Sequence, residues 1–190
     1  ICNGDLPVTE KRGPIKCAII GLGRVASLLE LDPLREKPCT HSGAIAANPH
    51  CTLVAGCDIC EERRLRFGEQ WGVSALYADA KEMVREVGPD LLVVATPPDS
   101  HARFVSLASS LGVGVVVCEK PLADTLGRAR RIASLQRRGK ATVIVNHERR
   151  YSRNYIRVRE AVASRRYGTL LSVRGTLYFG RTTRRDRMLL

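Results

Sequence analysis

Six short apolar runs alternate with segments of helical periodicity along most of this 190-residue chain. The segments between the runs are long enough for helical crossovers, which join parallel strands in a right-handed sense. The run LLVVA at 91–95 carries no polar residue, as expected of a strand covered on both faces. The alternation therefore predicts a doubly wound parallel α/β sheet. Its predicted strands are Ile15–Ile20, 52–57, 75–77, 91–95, 113–118 and 141–145.

Helical segments with identifiable ends separate these strands. Residues that bind free backbone N–H groups at a helix start are Asp, Ser, Thr and Asn, and several stand at such positions here. The predicted helices are Glu61–Trp71, Ala80–Val87 after an Asp79 cap, one from Asp99 or Ser100 to about Leu111, and one capped by Asp124.

The sequence changes in character after about residue 148. A helix is predicted over 152–165, and TLLSVRGTLYF at 169–179 predicts one long strand. A single strand is unstable without sheet partners, and no further strand is predicted before the chain ends. We therefore expect an N-terminal extension (1–13), the doubly wound domain (14–147) and the incomplete start of a second domain (148–190).

The first predicted strand ends in Gly-Leu-Gly, within the segment GLGRVA. In this position Gly21 permits a tight turn, Gly23 lets the backbone approach a pyrophosphate, and the small Ala26 lets a helix pack closely on the strand. We expect a helix to open here with its N-terminal N–H groups facing the phosphates. After the first strand of an alternating chain, this pattern predicts dinucleotide binding.

An acidic residue, Asp58, follows the second predicted strand, where a carboxylate holds the adenosine ribose. It lies farther from the glycines than usual, and the segment 27–40, with two prolines, accounts for the excess as an insertion in the first crossover. Asp58 favours NAD because its charge repels the 2′-phosphate of NADP. Arg63 and Arg64 weaken that preference, so NADP stays possible.

Polar segments also follow the fourth and fifth predicted strands, where the carboxyl ends of parallel strands line a ligand crevice. Lys120 precedes Pro121, which restrains the turn and so fixes where Lys120 and Glu119 point. An ammonium beside a nicotinamide can orient a substrate hydroxyl and relay its proton. His101 is either part of this rim or an ordinary surface residue at a helix end, and Asn146 follows the sixth strand.

The segments GLGRVA, ATPPDSH, CEKPLA and NHERRY occur in the order and spacing of the Gfo/Idh/MocA family of glucose–fructose oxidoreductases and inositol dehydrogenases. The chain resembles this family over about residues 14–180, and the EKP tripeptide is its most distinctive mark. The resemblance implies a Rossmann-type doubly wound parallel sheet followed by the start of a truncated α+β domain. It also implies an NAD(P)-dependent oxidoreductase that transfers a hydride between the nicotinamide and a secondary hydroxyl of a sugar, polyol or derivative.

The resemblance further implies roles for individual residues. Lys120 takes part in catalysis and substrate positioning, whereas the family's Asp and His catalytic pair lies in the second domain, beyond the last predicted strand. The full-length form is expected to be a homo-oligomer, since that domain's sheet makes the subunit contacts. The residues implied to line the NAD(P) site are Gly21, Gly23, Arg24, Val25, Asp58, Thr96, Pro97, His101, Glu119, Lys120 and Asn146.

The net charge of +12 comes from the last part of the chain. Residues 1–119 hold 12 Lys and Arg against 15 Asp and Glu, and residues 120–190 hold 19 against 4. A basic region admits a nucleic-acid partner, but this one lacks interleaved aromatic residues and any reading motif, so no nucleic acid is expected. The alternative to an oxidoreductase is a non-catalytic NAD(H)-binding module or a partner subunit without a complete active site.

Seven cysteines stand at irregular spacing in a chain that is 44% hydrophobic, which argues against a disulfide scaffold. Cys57 and Cys60 have CxxC spacing but no second pair or nearby His, so no metal site is expected. No apolar run approaches the roughly 20 residues needed to cross a bilayer. The N-terminus lacks the apolar stretch of a secretory signal. These features predict a cytoplasmic protein without a membrane partner.

Overall fold

Six parallel strands form one sheet in the computed structural model, which describes residues 13–176. From the centre the chain builds one half of the sheet outward, then returns and builds the other half. The strands are β1 (Ile15–Ile20), β2 (Cys51–Cys57), β3 (Leu76–Tyr77), β4 (Leu91–Val94), β5 (Val115–Cys118) and β6 (Thr142–Val145), in the order β3-β2-β1-β4-β5-β6. The predicted doubly wound parallel sheet is confirmed.

Helices follow most of the strands. The helix α3 begins at its predicted cap, because the Asp79 carboxylate accepts the N–H groups of Lys81 and Glu82, each at 2.9 Å. The helices are α1 (His41–Ala46), α2 (Glu61–Trp71), α3 (Ala80–Val87), α4 (Pro98–Ser110), α5 (Leu126–Arg137) and α6 (Arg153–Ala163), with 3-10 turns at Leu28–Leu31 and Glu148–Tyr151.

The starts of α4 and α5 differ from the prediction. The helix α4 begins at Pro98 without a side-chain cap, because proline has no N–H to satisfy and its fixed φ suits the first helical turn. The predicted cap at Asp99 or Ser100 is therefore wrong. In α5 the cap is Thr125, whose Oγ1 accepts the Arg128 N–H at 3.4 Å. Asp124 binds the Arg128 guanidinium instead.

Apolar side chains cover the sheet on both faces. Met83, Val105 and Ile132, from α3, α4 and α5, are fully buried in one cluster. Ile45 of α1 and Phe67 of α2 belong to a second cluster. Burial of each such side chain contributes about 1.5–3 kcal/mol. The strands are thereby held firmly, and so are the loops at their carboxyl ends.

The helix expected after GLGRVA is interrupted. One helical turn forms, with the Ser27 N–H donating to the Gly23 carbonyl at 3.0 Å, and the chain then enters the 3-10 turn Leu28–Leu31. The backbone leaves the helical path at Ser27, where the predicted insertion begins, and helix resumes with α1 at His41.

The 27–40 segment leaves the first crossover and returns to the same place. The His41 N–H donates to the Val25 carbonyl at 3.1 Å, and the Ser42 N–H donates to the Ala26 carbonyl at 3.0 Å. The hydrogen bonds at the start of α1 thus continue from the turn at 23–26, with 14 residues looped out between them.

Polar contacts hold both ends of the 27–40 segment. At its start, the buried Ser27 hydroxyl accepts the Trp71 Nε1–H at 2.8 Å. At its end, the Glu30 carboxylate accepts the Cys39 N–H at 3.1 Å and the Thr40 hydroxyl at 2.6 Å. The segment is therefore fixed against α2 and against the start of α1.

The chain divides into two compact units, with the boundary between His147 and Glu148. The second unit contains α6, which covers a shorter range than the predicted 152–165. Residues 169–176 form no strand, which corrects the prediction of a strand over 169–179. A strand needs a hydrogen-bonded neighbour, and the described part of this unit has none. Residues 177–179 lie outside the described residues.

Among residues 13–176, no helix combines the length and the apolar character needed to cross a membrane.

Candidate active site at the carboxyl edge of the sheet

The glycine turn after β1 begins with a residue that no other amino acid replaces easily. Gly21 has a φ of +87°, and its N–H donates to the Cys57 carbonyl at 2.8 Å. A Cβ at this position would lie 2.8 Å from the Ala95 carbonyl oxygen and 2.9 Å from the Thr96 Cγ2. Gly21 therefore allows β1, β2 and β4 to approach one another where the turn begins.

Gly23, the second glycine of the turn, faces open space. A Cβ built on Gly23 would have no heavy atom within 4 Å. The turn is tied down between the glycines, because the Leu22 N–H donates to the Asp58 Oδ2 at 2.8 Å. The backbone at Gly23 is thus accessible from the open side of the turn, while the buried Asp58 carboxylate holds the turn from the other side.

A cavity of about 450 Å³ opens beside this turn at the carboxyl ends of β1, β2 and β4. Its wall is largely apolar and includes the ring of Phe104 from α4. Five of the predicted site residues belong to the wall, namely Gly21, Gly23, Asp58, Thr96 and Pro97.

Asp58 is buried at the rim of this cavity and holds several groups. Its Oδ1 accepts the Cys60 N–H at 2.9 Å, in addition to the Leu22 contact. The Arg63 guanidinium lies 3.6 Å from Oδ2, and Arg64 donates to the Asp58 carbonyl at 2.8 Å. One partly exposed cation therefore offsets the carboxylate charge inside the cavity.

A second polar group lies beyond β4, at the ends of β5 and β6. The Glu119 Oε1 lies 2.8 Å from His41 Nε2 and accepts the Asn146 Nδ2–H at 2.7 Å. The Glu119 Oε2 accepts the backbone N–H of Lys120 at 3.2 Å. Burial raises the pKa of the Glu119 carboxyl, but the His41 and Asn146 hydrogen bonds, the His41 charge and the Lys120 N–H together hold this pKa below its usual 4.5.

This lowered pKa predicts a contribution to acid stability. Ionised Glu119 stabilises the fold above its unfolded-state pKa near 4.5, and the contribution is lost as the pH falls through the lower folded-state value. Between about pH 6 and about pH 3, we expect the wild type to lose more free energy of unfolding than Glu119→Gln does. Urea unfolding followed by the fluorescence of Trp71 measures the difference, and equal losses in the two proteins would contradict it.

Lys120 itself is exposed and joined to Pro121 by a cis peptide bond. Within residues 13–176 its ammonium has no hydrogen bond or ion pair. Its backbone, by contrast, is held by Glu119, whose own N–H donates to the Val94 carbonyl at 2.9 Å. The arrangement presents a free cationic group from a fixed backbone at the edge of the sheet.

His101 lies beneath the surface rather than on the cavity wall. It is fully buried, with Nε2 2.7 Å from the Thr96 carbonyl oxygen and Nδ1 3.0 Å from the Pro121 carbonyl oxygen. Because its ring is enclosed by backbone carbonyls, a bound cofactor has no access to it, which corrects its predicted place in the cofactor site. Instead, His101 ties the end of β4 to the loop that carries Lys120.

The cysteines beside the site are protonated thiols. Burial raises the pKa of Cys57 and of Cys118 to about 12. Neither is therefore a thiolate at neutral pH, which both metal binding and nucleophilic attack require. Across residues 13–176, no three His, Cys, Asp or Glu side chains are grouped as a metal site.

Sequence reasoning located only part of this edge. Arg24 and Val25 lie on the turn after the glycines but outside the cavity wall. Conversely, Arg103 and Phe104 line the cavity and were missed, as was His41, which contacts Glu119. An apolar and basic pair on the exposed side of α4 is the signal that indicates the first two. No local signal connects His41 to a residue 78 positions away.

Comparison with known proteins identifies a family. The sequence model of the Gfo/Idh/MocA family, described as an oxidoreductase family with an NAD-binding Rossmann fold, matches residues 15–147. The inositol 2-dehydrogenase of Salmonella paratyphi B is 28% identical over 166 residues, which cover 86% of this chain and 46% of that protein. The inositol 2-dehydrogenase of Rubrobacter xylanophilus is 33% identical over 128 residues, covering 67% of this chain and 36% of that protein.

A solved structure shows the same fold. The crystal structure of myo-inositol 2-dehydrogenase from Lactobacillus plantarum superposes with a TM-score of 0.68 at 24% identity, over 80% of this chain and 42% of that one. The chain spans about half the length of the curated relatives that it matches. With a family match over most of its length and the glycine turn, Asp58 and the EKP segment at one edge of the sheet, the chain belongs to the Gfo/Idh/MocA oxidoreductase family.

Proposed function

We propose that this chain is the cofactor-binding part of an NAD(P)-dependent oxidoreductase acting on a secondary hydroxyl of a sugar, polyol or derivative. In this proposal residues 14–147 bind the dinucleotide and residues 148–190 begin a substrate and oligomerisation domain. One observation carries the proposal: a single edge of the sheet bears both a ligand-sized cavity beside an open glycine turn and a fixed loop with a free lysine.

The residues around the cavity fit a dinucleotide. The open space at Gly23 leaves room for a pyrophosphate against the backbone, and a side chain there would fill it. Asp58 stands where the adenosine ribose is held, and Thr96 and Pro97 continue the wall toward β5. On the nicotinamide side, Glu119 accepts hydrogen bonds from both the Lys120 backbone N–H and the Asn146 Nδ2–H.

The chemistry divides between cofactor and protein. The nicotinamide supplies the hydride acceptor or donor when it is bound. Lys120 presents an ammonium that hydrogen-bonds the substrate hydroxyl, orients it and relays its proton. Because Glu119 and His101 fix the backbone around Lys120, only its side chain needs ordering when a substrate arrives.

Asp58 makes NAD the favoured cofactor. Its carboxylate repels the extra phosphate of NADP, whereas the ribose hydroxyls of NAD hydrogen-bond it. The Arg63 guanidinium at 3.6 Å offsets part of this repulsion, so NADP binds as the weaker alternative. A variant that removes the charge but keeps an acceptor for the Leu22 N–H, Asp58→Asn, tests this preference without opening the turn.

Substrate class, assembly and location complete the proposal. Curated relatives carry the names inositol 2-dehydrogenase, D-apiose dehydrogenase and D-glucoside 3-dehydrogenase, which supports a polyol or sugar as substrate. We propose a homo-oligomer for the full-length form, and no nucleic-acid partner. Six described cysteines are free thiols, which supports a reducing compartment such as the cytoplasm.

A titration with NADH tests the cofactor part of this proposal. Energy transfer from Trp71, the single tryptophan, reports binding to the 190-residue chain. We expect saturable binding of NADH, and we expect Asp58→Asn to reduce the preference for NADH over NADPH by about tenfold. The variant Glu69→Ala on the exposed side of α2 serves as the control and leaves both affinities unchanged. Absence of saturable binding overturns the proposal.

Turnover of a panel of sugars and polyols by the full-length form tests the catalytic part. Lys120→Met removes the ammonium but keeps the length of the side chain, so we expect NADH affinity to persist while turnover falls by about 10²–10⁴-fold. Lys140→Met, at another exposed lysine, is the matched control. A full-length form that binds NADH and oxidises no member of the panel supports a non-catalytic NAD(H)-binding module or partner subunit instead.

A further inference from the structure

The Glu119 carboxylate joins three parts of the chain that are distant in sequence. Its Oε1 is shared by His41, at the start of α1, and Asn146, just after β6. Its Oε2 accepts the backbone N–H of Lys120, in the loop after β5. We propose that His41 is a positioning residue for Lys120, which it holds in place through Glu119; the inference rests on the proposed role of Lys120 in catalysis.

Because the cluster of Glu119, His41 and Asn146 is largely buried, each hydrogen bond within it contributes to the orientation of the carboxylate. The Glu119 side chain is 9% exposed and the His41 side chain 13% exposed. A buried carboxylate requires donors on both oxygens, and a hydrogen bond to a charged group contributes more than one between neutral groups. With two donors on Oε1 and one on Oε2, the loss of His41 removes one of the three contacts that fix the carboxylate.

The link from Glu119 to Lys120 runs through the backbone. The Glu119 backbone is fixed because its N–H donates to the Val94 carbonyl. The Glu119 side chain folds back onto its own chain and accepts the N–H of the next residue, Lys120. The Lys120 ammonium has no partner of its own among residues 13–176, so the backbone is the part of Lys120 that this network fixes. A carboxylate that loses its orientation therefore loosens the segment from which Lys120 projects.

His41 reaches Glu119 because of how the 27–40 segment ends. The His41 N–H donates to the Val25 carbonyl at 3.1 Å, and the preceding Thr40 hydroxyl is bound by Glu30. The backbone that carries the imidazole is thus fixed on both sides. The contact between His41 and Glu119 is a built feature of the first crossover rather than an encounter of two mobile side chains.

Native-state hydrogen exchange on the full 190-residue chain tests the inference directly. We expect His41→Ala to raise the exchange rate of a peptide spanning 118–123 by about tenfold, while peptides from α4 keep the wild-type rate. His41→Gln, which retains a side-chain donor, is expected to restore the rate to within about threefold of the wild type. His50→Ala, at an exposed histidine close in sequence, is the matched control and changes neither peptide.

A double-substitution cycle distinguishes an effect of His41 that is transmitted through Glu119 from a general loss of stability in the His41 variant. In a Glu119→Ala background, which removes the carboxylate, His41→Ala is expected to change exchange of the 118–123 peptide by less than about twofold. A uniform rise across all peptides, no rise in the 118–123 peptide, or additive effects in the cycle overturns the inference.

NADH titration of the same variants distinguishes this inference from the proposed function. Because Glu119 and Asn146 are themselves implied to line the NAD(P) site, His41→Ala is expected to weaken NADH binding by about tenfold, and His41→Gln to restore most of it. If the wild type fails to bind NADH while the exchange pattern holds, the proposed function fails and the hold of His41 on the Lys120 backbone stands. If NADH binds and His41→Ala changes neither readout, only the inference fails.

Discussion

Replacing Gly23 with valine is expected to reduce the affinity for NADH by at least about 100-fold while the fold stays intact, a loss of about 2.7 kcal/mol of binding free energy. The reason is the open space beside this residue, where a Cβ meets no protein atom within 4 Å. A valine side chain is therefore accommodated by the folded chain and occupies the room that the proposed pyrophosphate needs. NADH titration by Trp71 energy transfer measures the loss.

The control for this prediction is another glycine with open surroundings. Gly127, in α5, also has no heavy atom within 4 Å of a built Cβ and has no positive φ. Gly127→Val should leave NADH affinity within about twofold of the wild type, since it lies outside the cavity wall. If Gly23→Val and the wild type had equal affinity for NADH, the pyrophosphate would not bind against this turn.

Substitution of Gly21 by alanine should act on stability instead. We expect Gly21→Ala to lower the free energy of unfolding by about 2–4 kcal/mol, because a Cβ clash adds to the strain of a positive φ. The φ is +87°, and the clashing atoms are the backbone of Ala95 and the Thr96 Cγ2, which are not at the end of a long flexible side chain. Urea unfolding followed by Trp71 fluorescence measures the change.

A second glycine separates the two causes. Gly112 has a similar φ of +81°, but a Cβ built there meets nothing within 4 Å. Gly112→Ala should therefore cost only the conformational strain, about 1–2 kcal/mol. The difference between the two variants measures the close approach of β1 to β4. If both variants lost the same stability, the close approach at Gly21 would have no energetic role.

The order of strands and helices follows from the sequence because the signals are local. Runs such as Ile15–Ile20 and the Asp79 cap of α3 lie within one element, and both stand where the pattern predicts them. The errors occur where the local structure depends on a partner that is distant in sequence. The strand predicted from Thr169 has no neighbour among the described residues.

The site shows the same division. The positions of Gly21, Gly23 and Asp58 follow from their place at strand ends, since parallel strands bring their carboxyl ends to one edge. The burial of His101 does not follow from its own neighbours, because the two carbonyls that enclose it come from different loops. The contact of His41 with Glu119 depends on the return of the 27–40 segment, which composition does not encode.

That return also affects how the protein can change in evolution. The residues that flank the 27–40 segment are joined by backbone hydrogen bonds, from His41 to Val25 and from Ser42 to Ala26. The positions of the turn at 23–26 and of α1 are therefore fixed independently of the length of the segment between them. Each doubling of such a loop costs only about 0.6 kcal/mol of closure entropy. Insertions and deletions there are thus nearly neutral to the sheet. We expect descendants of one ancestor to differ in length at this segment, while the edge that carries the cavity and the lysine keeps its geometry.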